Sequence, residues 1–186
     1  VNKEYIESIM GNIPEDYKEC RRIGEGYYTI NELIMNDNVD EFVSFIKQND
    51  IALNSFLFQS IIETNSFLIE NGPSIIEYAF FYGSINLINY LIKNEVELTS
   101  SLWIYAIHSH KMELINLLEE KKVDPPNKSF RKCILESIKC HHNDIANYLQ
   151  NKYFKDQDFN INRRYFNQCL KYYNFGLLQN NLIDKS

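Results

Sequence analysis

The residues best suited to metal or thiol chemistry lie between positions 108 and 142. The candidates are His108, His110, His141, His142 and Cys140. Imidazole and thiolate suit zinc, but Cys133 and Cys140 lack the paired Cys-x2-Cys spacing of structural zinc sites. His110 and His141 fall at equivalent positions of neighbouring repeats, described below, which puts them about 10 Å apart. That is too far for two ligands of one ion without His108 or Cys140. The sequence therefore predicts no metal site and favours histidines that bond to neighbouring backbone.

A cysteine nucleophile needs an adjacent imidazole and a third group that orients the imidazole. Cys140 and His142 are the one local pair, but they are two residues apart in an expected turn and no glycine-rich oxyanion loop lies nearby. The sequence also lacks a glycine-rich phosphate loop and a His-Glu-x-x-His pattern. We therefore expect no catalytic residues, no cofactor and no enzymatic activity.

Composition and charge narrow the possible partners. The chain has 186 residues and a net charge of −6, which disfavours a broad grip on nucleic-acid phosphates. No apolar run approaches 18 residues, so we expect no membrane span. The four cysteines are widely spaced and no signal-like apolar core is seen, which favours reduced thiols and a cytoplasmic location, with the nucleus left open. They are Cys20, Cys133, Cys140 and Cys169.

An internal repeat organises the elements that carry these residues. Positions 74–92 and 101–119 match in residue class at a shift of 27, which is the distance from Ala79 to Ala106. Each copy has two short apolar patches of helical spacing around a small or polar break, which predicts two helices joined by a turn. Such a pair cannot bury its apolar face alone, so it must stack on neighbours.

The same pattern extends in both directions from this repeat. It begins at Tyr28, is found again from position 129, and is present in a divergent form from Phe166. We predict an N-terminal helical cap over 1–27 and an array over 28–186 of about five units. The second unit is irregular. Residues 52–70 have a helical pattern, and 50–73 is either a degenerate or lengthened repeat, which we prefer, or an inserted helix pair. The last unit is a divergent C-terminal cap. Positions predicted to be buried are Ile76, Ala79, Leu87, Leu91, Trp103, Ala106, Leu114, Leu118, Ile134, Ile145 and Leu149.

These units resemble ankyrin repeats. The segments that carry the resemblance are 74–79 with 83–97, 110–118 and 141–149. The sequence of 76–85 and 102–108 also looks like an uncharacterised ankyrin-type domain abundant in parasitic flagellate protists. The chain departs from the family in its span of 27 rather than 33, in the missing Thr-Pro start, and in His110 and His141 where the family has glycine. The resemblance implies an all-α, ankyrin-like solenoid of stacked helix-turn-helix repeats.

The same resemblance implies a non-enzymatic module that binds another protein on its concave face. The positions that face this groove in the family correspond here to Met35, Asn36, Phe81, Tyr82, His108, Ser109, Lys139 and Cys140. We expect Phe81, Tyr82 and His108 to lie side by side as an aromatic patch. The alternative is that Phe81 or Tyr82 packs under a shortened hairpin.

Two other functions stay open at the level of sequence. One is a self-associating structural domain of a larger protein, whose C-terminal unit forms a homo-oligomer interface through Tyr165, Phe166, Tyr172, Tyr173 and Phe175. A zinc-dependent or thiol-dependent enzyme has less support, for the reasons given above.

Overall fold

The computed structural model describes residues 29–57, 64–154 and 159–178, and the predicted cap over 1–27 lies outside these ranges. The described residues are mainly α-helical, so the predicted all-α class is confirmed. The helices are α1 Thr29–Met35, α2 Val39–Gln48, α3 Ser66–Asn71, α4 Ile75–Tyr82, α5 Ile85–Lys93, α6 Leu102–His108, α7 Met112–Glu120, α8 Arg131–Lys139, α9 Asn143–Tyr153 and α10 Phe159–Lys171, with a 3-10 turn at Pro126–Lys128. None of these helices is both long and apolar enough to cross a bilayer.

The helices are arranged in pairs that pack on one another in chain order. The pairs are α1/α2, α4/α5, α6/α7 and α8/α9, and α10 is followed by a helical turn at 175–178. The first helices form a row in which α1 packs on α4, α4 on α6, α6 on α8, and α8 on α10. Every side chain that the sequence predicts to be buried is buried, including Trp103, whose Nε1–H donates to the carbonyl of Val123 at 2.9 Å.

Residues 50–73 form a lengthened connection in the part that is described. The helices α1 and α2 pack directly on α4 and α5, so no further pair among the described residues lies between them in the row. Residues near the two ends of the connection pair in a short antiparallel contact, in which Leu57 N–H donates to Pro73 O at 2.9 Å and Ile75 N–H donates to Ser55 O at 3.0 Å. The helical pattern over 52–70 is wrong for 52–57 and holds for α3, while 58–63 lies outside the described residues.

Local sequence explains where the helices of a pair begin and end. In α4, the backbone N–H of Ser74 donates to the Glu77 carboxylate at 2.9 Å, which is half of a capping box. The helix ends at Gly83, which has φ 69°. The equivalent residues of the other units also have positive φ: Asp37 at 55°, His110 at 56°, His141 at 62° and Tyr173 at 55°. The predicted breaks are therefore in phase along the chain.

Each unit is bonded to the one before it through the residue that follows the break. Side-chain donors reach a carbonyl in the preceding first helix in three units: Ser84 Oγ to Ile34 O at 2.5 Å, His142 Nδ1 to Ile107 O at 2.8 Å, and Asn174 Nδ2 to Ile138 O at 3.0 Å. In the opposite direction, the break residue His141 donates from Nε2 to Tyr172 O of the following unit at 2.9 Å. The expectation that break histidines bond neighbouring backbone is confirmed for His141 and His142, whereas His110 Nε2 lies 2.9 Å from the Asp144 carboxylate.

Candidate functional site

The predicted groove residues lie at the ends of the first helices, where three of them form a continuous aromatic surface. The ring centroids of Phe81 and His108 are 5.4 Å apart at an interplanar angle of 26°, and those of Phe81 and Tyr82 are 5.1 Å apart. Phe81 and Tyr82 are half-buried. The structure therefore places these side chains next to one another, as the stacking of equivalent positions requires.

One member of this surface was missed by sequence reasoning. Phe67 of α3 stacks on His108 with ring centroids 4.0 Å apart, lies 6.0 Å from the Phe81 ring, and meets Tyr105 edge-on at 5.1 Å. We call Phe67, Phe81, Tyr82 and His108 the aromatic patch. Phe67 of the long connection thus lies against part of the predicted groove, whereas the alternative stated from sequence was packing of Phe81 or Tyr82 under a shortened hairpin.

The patch continues towards α1 through Tyr78 and Met35. The rings of Tyr78 and Tyr82 are 4.8 Å apart, and the Tyr78 hydroxyl donates to Met35 Sδ at 3.7 Å. Met35 is 46% exposed, which makes it the open end of this surface. Asn36 is exposed and its backbone N–H donates to Glu32 O within the last turn of α1.

On the other side of His108 the surface becomes polar. His108 Nε2 donates to Glu136 Oε1 at 3.0 Å, and Lys139 Nζ donates to the same oxygen at 2.8 Å. Cys140 Sγ lies 3.7 Å from His108 Nδ1 and 3.9 Å from Nε2. We call His108, Glu136, Lys139 and Cys140 the polar cluster. Glu136 and Cys140 are one helical turn apart on α8, so both face the end of α6.

Burial and charge set the protonation of this cluster. Desolvation raises the pKa of Glu136, but hydrogen bonds from His108 and Lys139 outweigh it, so the pKa lies below its usual value. Burial, with the nearby Glu136 carboxylate, raises the pKa of the Cys140 thiol to about 11. The hydrogen bond to Glu136 raises the pKa of Lys139. At neutral pH the carboxylate is therefore ionised and the thiol protonated.

This geometry does not suit a thiol nucleophile. Cys140 Sγ lies 3.7 Å from His108 Nδ1 and 3.9 Å from Nε2, so neither ring nitrogen is at the close distance expected of a general base. The raised pKa of Cys140 also lowers its thiolate fraction. In the local pair considered from sequence, His142 Nδ1 donates to Ile107 O, whereas Cys140 Sγ contacts His108 instead.

No family model, curated protein or solved structure matches this chain.

The remaining predicted groove residue, Ser109, serves its own helix. Its Oγ donates to Ala106 O at 2.6 Å and accepts from Lys111 N–H at 3.2 Å. These bonds satisfy backbone groups at the end of α6 and make no link to the aromatic patch. Of the eight predicted residues, Met35, Phe81, Tyr82, His108, Lys139 and Cys140 are joined by contacts through Tyr78 and Glu136, whereas Asn36 and Ser109 have local hydrogen bonds.

A second surface of interest lies on the C-terminal unit. Four large apolar side chains are exposed there: Phe166, Leu170, Tyr173 and Phe175. Tyr173 is 75% exposed and its ring lies 6.2 Å from that of Phe175. Tyr165, which the self-association hypothesis also included, is buried, and Tyr172 is half-buried. We call the four exposed residues the C-terminal apolar surface.

Proposed function

We propose that this chain is an ankyrin-like solenoid that binds another protein, without catalysis, through the aromatic patch and the polar cluster beside it. The row of first helices and the in-phase breaks support the solenoid part of the proposal. The observation that carries the binding role is the aromatic patch, because half-buried rings from α3, α4 and α6 meet there at one surface.

The chemistry of the patch suits protein recognition. Rigid aromatic side chains supply large contact area at low entropic cost, and they are enriched at the energetic centres of interfaces. The polar cluster at one edge adds the Lys139 ammonium and the Glu136 carboxylate, which can orient a partner. The partner we propose is a protein with an apolar side chain for the patch and a charged group for its polar edge.

The test is affinity capture with the folded full chain as bait. We expect a specific partner to be retained by the wild type and lost with Phe81→Ala/Tyr82→Ala. Phe166→Ala is the matched control, because it removes an exposed ring from a different surface. If the double variant keeps its fold by circular dichroism and retains the same proteins as the wild type, the aromatic patch is not the binding surface.

A second candidate function is self-association through the C-terminal apolar surface. The four exposed side chains on one unit support it, because exposed apolar groups in such number are uncommon on a terminal repeat. We expect light scattering to show a dimer that becomes monomeric with Phe166→Ser/Tyr173→Ser. A wild-type mass that stays monomeric at all concentrations would count against this candidate.

The location we propose is the cytoplasm. The three described cysteines, Cys133, Cys140 and Cys169, are free thiols, and two of them are buried. Unpaired thiols support a reducing compartment.

A further inference from the structure

We propose that His108, Glu136 and Cys140 bind a zinc ion. The sequence predicts no metal site, because His110 and His141 are expected to lie too far apart without His108 or Cys140 and the cysteines lack paired spacing; no carboxylate was considered. In the folded chain one ligand atom from each of His108, Glu136 and Cys140 lies within 4.8 Å of the others. The inference does not depend on the chain binding a protein partner.

The distances among the three ligand atoms suit a small tetrahedral ion. Zinc bonds to nitrogen, oxygen and sulfur are about 2.0–2.3 Å long, so the ligand atoms of one ion lie about 3.5 Å apart. In the structure His108 Nε2 is 3.0 Å from Glu136 Oε1 and 3.9 Å from Cys140 Sγ. Nε2 and Oε1 need shifts of only a few tenths of an ångström to reach this spacing. Cys140 Sγ, which lies within 4.8 Å of a Glu136 carboxylate oxygen, must move closer to it, and a rotation of the imidazole turns Nε2 towards the ion.

The donor set selects the metal. A thiolate and an imidazole with one carboxylate favour zinc over magnesium or calcium, which prefer oxygen ligands. Three protein ligands leave the fourth position for water. The centroid of the Phe67 ring lies 4.0 Å from that of the imidazole, and the ring supports His108 from one face.

Binding changes the protons of the cluster in a defined way. The ion takes the place of the proton that His108 Nε2 shares with Glu136, and that proton passes through solvent to Nδ1. The Cys140 thiol loses its proton to solvent as the zinc–sulfur bond forms. One proton is therefore released for each ion bound.

The Lys139 ammonium competes with a zinc ion for the Glu136 carboxylate. Its ammonium donates to the same oxygen, Glu136 Oε1, at 2.8 Å, so the lysine must move before the carboxylate can bind the ion. Replacing the ammonium by an apolar group removes both the competing hydrogen bond and a nearby positive charge. Lys139→Met should therefore bind zinc more tightly than the wild type, an effect that loss of structure would not produce.

The experiment is a cobalt titration of the full chain, because cobalt reports thiolate ligation by a charge-transfer band in the near ultraviolet. We expect this band in the wild type, its loss in Cys140→Ser, and its retention in Cys133→Ser, the matched control for a buried cysteine outside the site. Zinc should displace the cobalt. His108→Phe, which keeps a ring against Phe67, should weaken zinc binding by about tenfold or more.

Three results would overturn the proposal. They are absence of the band in the wild type at millimolar cobalt, a band that survives Cys140→Ser, or an unchanged zinc affinity in Lys139→Met. The last measurement also decides the matter if Cys140→Ser does not fold. Because no partner is present in these titrations, a failed affinity capture leaves their result unaffected.

Discussion

At the scale of single residues, the break positions show how an unfavourable backbone conformation is retained. Four of the five break residues are not glycine, although the left-handed region costs other residues roughly 1 kcal/mol. Asp37 is the clearest case, because its carboxylate accepts from the backbone N–H groups of Asn86 at 3.0 Å and Leu87 at 2.8 Å. The formal N-cap of α5, Ser84, does not cap the helix with its side chain. Asp37 caps α5 from the preceding unit.

Asp37→Ala should lower the free energy of unfolding by about 1–3 kcal/mol, because the first amides of α5 lose their acceptor and alanine tolerates positive φ poorly. Asp37→Asn, which keeps an acceptor oxygen and tolerates this conformation, should cost less. Urea denaturation measures both. Asp40→Ala, at an exposed position in the first turn of α2, is the control and should stay within ~0.5 kcal/mol of the wild type. Equal losses at positions 37 and 40 would contradict the role of Asp37.

Glu119 makes stability depend on pH. Its carboxylate accepts from Tyr148 and Lys152 at 2.7 Å and from Tyr153 at 2.6 Å. Desolvation raises the pKa of Glu119, but hydrogen bonds from Lys152, Tyr153 and Tyr148 outweigh it, so the pKa lies below the usual 4.5. The unfolded chain therefore binds the proton more readily. The stabilisation is complete above about pH 4.5 and is lost as the pH falls through the folded value.

Glu119→Gln should therefore be less stable than the wild type at pH 7, and the difference should shrink as the pH falls below about 4.5. Thermal unfolding of both proteins between pH 7 and pH 3 gives the comparison. Taking the difference between the two proteins removes the contribution of other carboxylates. A difference that stays constant over this range would show that the Glu119 carboxylate is not responsible.

At the scale of elements, helix pairs could be predicted from sequence and the contacts of the long connection could not. The pairs follow from local signals, since apolar spacing sets the buried faces and residues such as Gly83 and His110 mark the breaks. Residues 50–73 have no counterpart in the other units. Their apolar pattern therefore could not predict that Phe67 packs on His108. Glu136 was missed for a related reason, because its approach to His108 depends on how α8 stacks on α6.

Phe67→Ala tests how the connection is held. We expect a loss of about 1–2 kcal/mol, smaller than the 2–5 kcal/mol expected for its fully buried neighbour Leu68→Ala, because Phe67 is half-buried. The His108 imidazole proton signals should also shift in nuclear magnetic resonance spectra of Phe67→Ala, since a ring 4.0 Å away is removed. Leu68→Ala should shift them far less. Unchanged signals in Phe67→Ala would show that α3 does not rest on His108 in solution.

At the scale of the whole molecule, each helix pair is stabilised mainly by its neighbours in the row. The position of a destabilising change along the row therefore decides how much of the molecule it disrupts. Ala106 lies in the middle, in α6, and Leu177 lies in the last unit, and both are buried. A charge at either place is costly, but only the central one separates the row into two parts.

Ala106→Asp should abolish cooperative unfolding and reduce the protection of amides in α1 to α5. Leu177→Asp should leave the amides of α1 to α5 protected. Hydrogen exchange followed by mass spectrometry resolves the two outcomes along the chain. Ala106→Ser is the control, because it is small and uncharged. Equal loss of protection in α1 to α5 for Ala106→Asp and Leu177→Asp would mean that the row behaves as one indivisible unit.

The contacts of the break residues also determine which units can be neighbours in the row. The carboxylate of Asp37 matches the amides of the next second helix, and His110 matches Asp144 in the same way. At Gly83 a side chain would collide with Lys111, whose Nζ donates to the glycine carbonyl at 2.6 Å. A unit copied to another place would present the wrong group to its new neighbour. Anyone lengthening this chain would have to duplicate a break together with the segment that follows it, because the junction, and not the helix pair, is the transferable part.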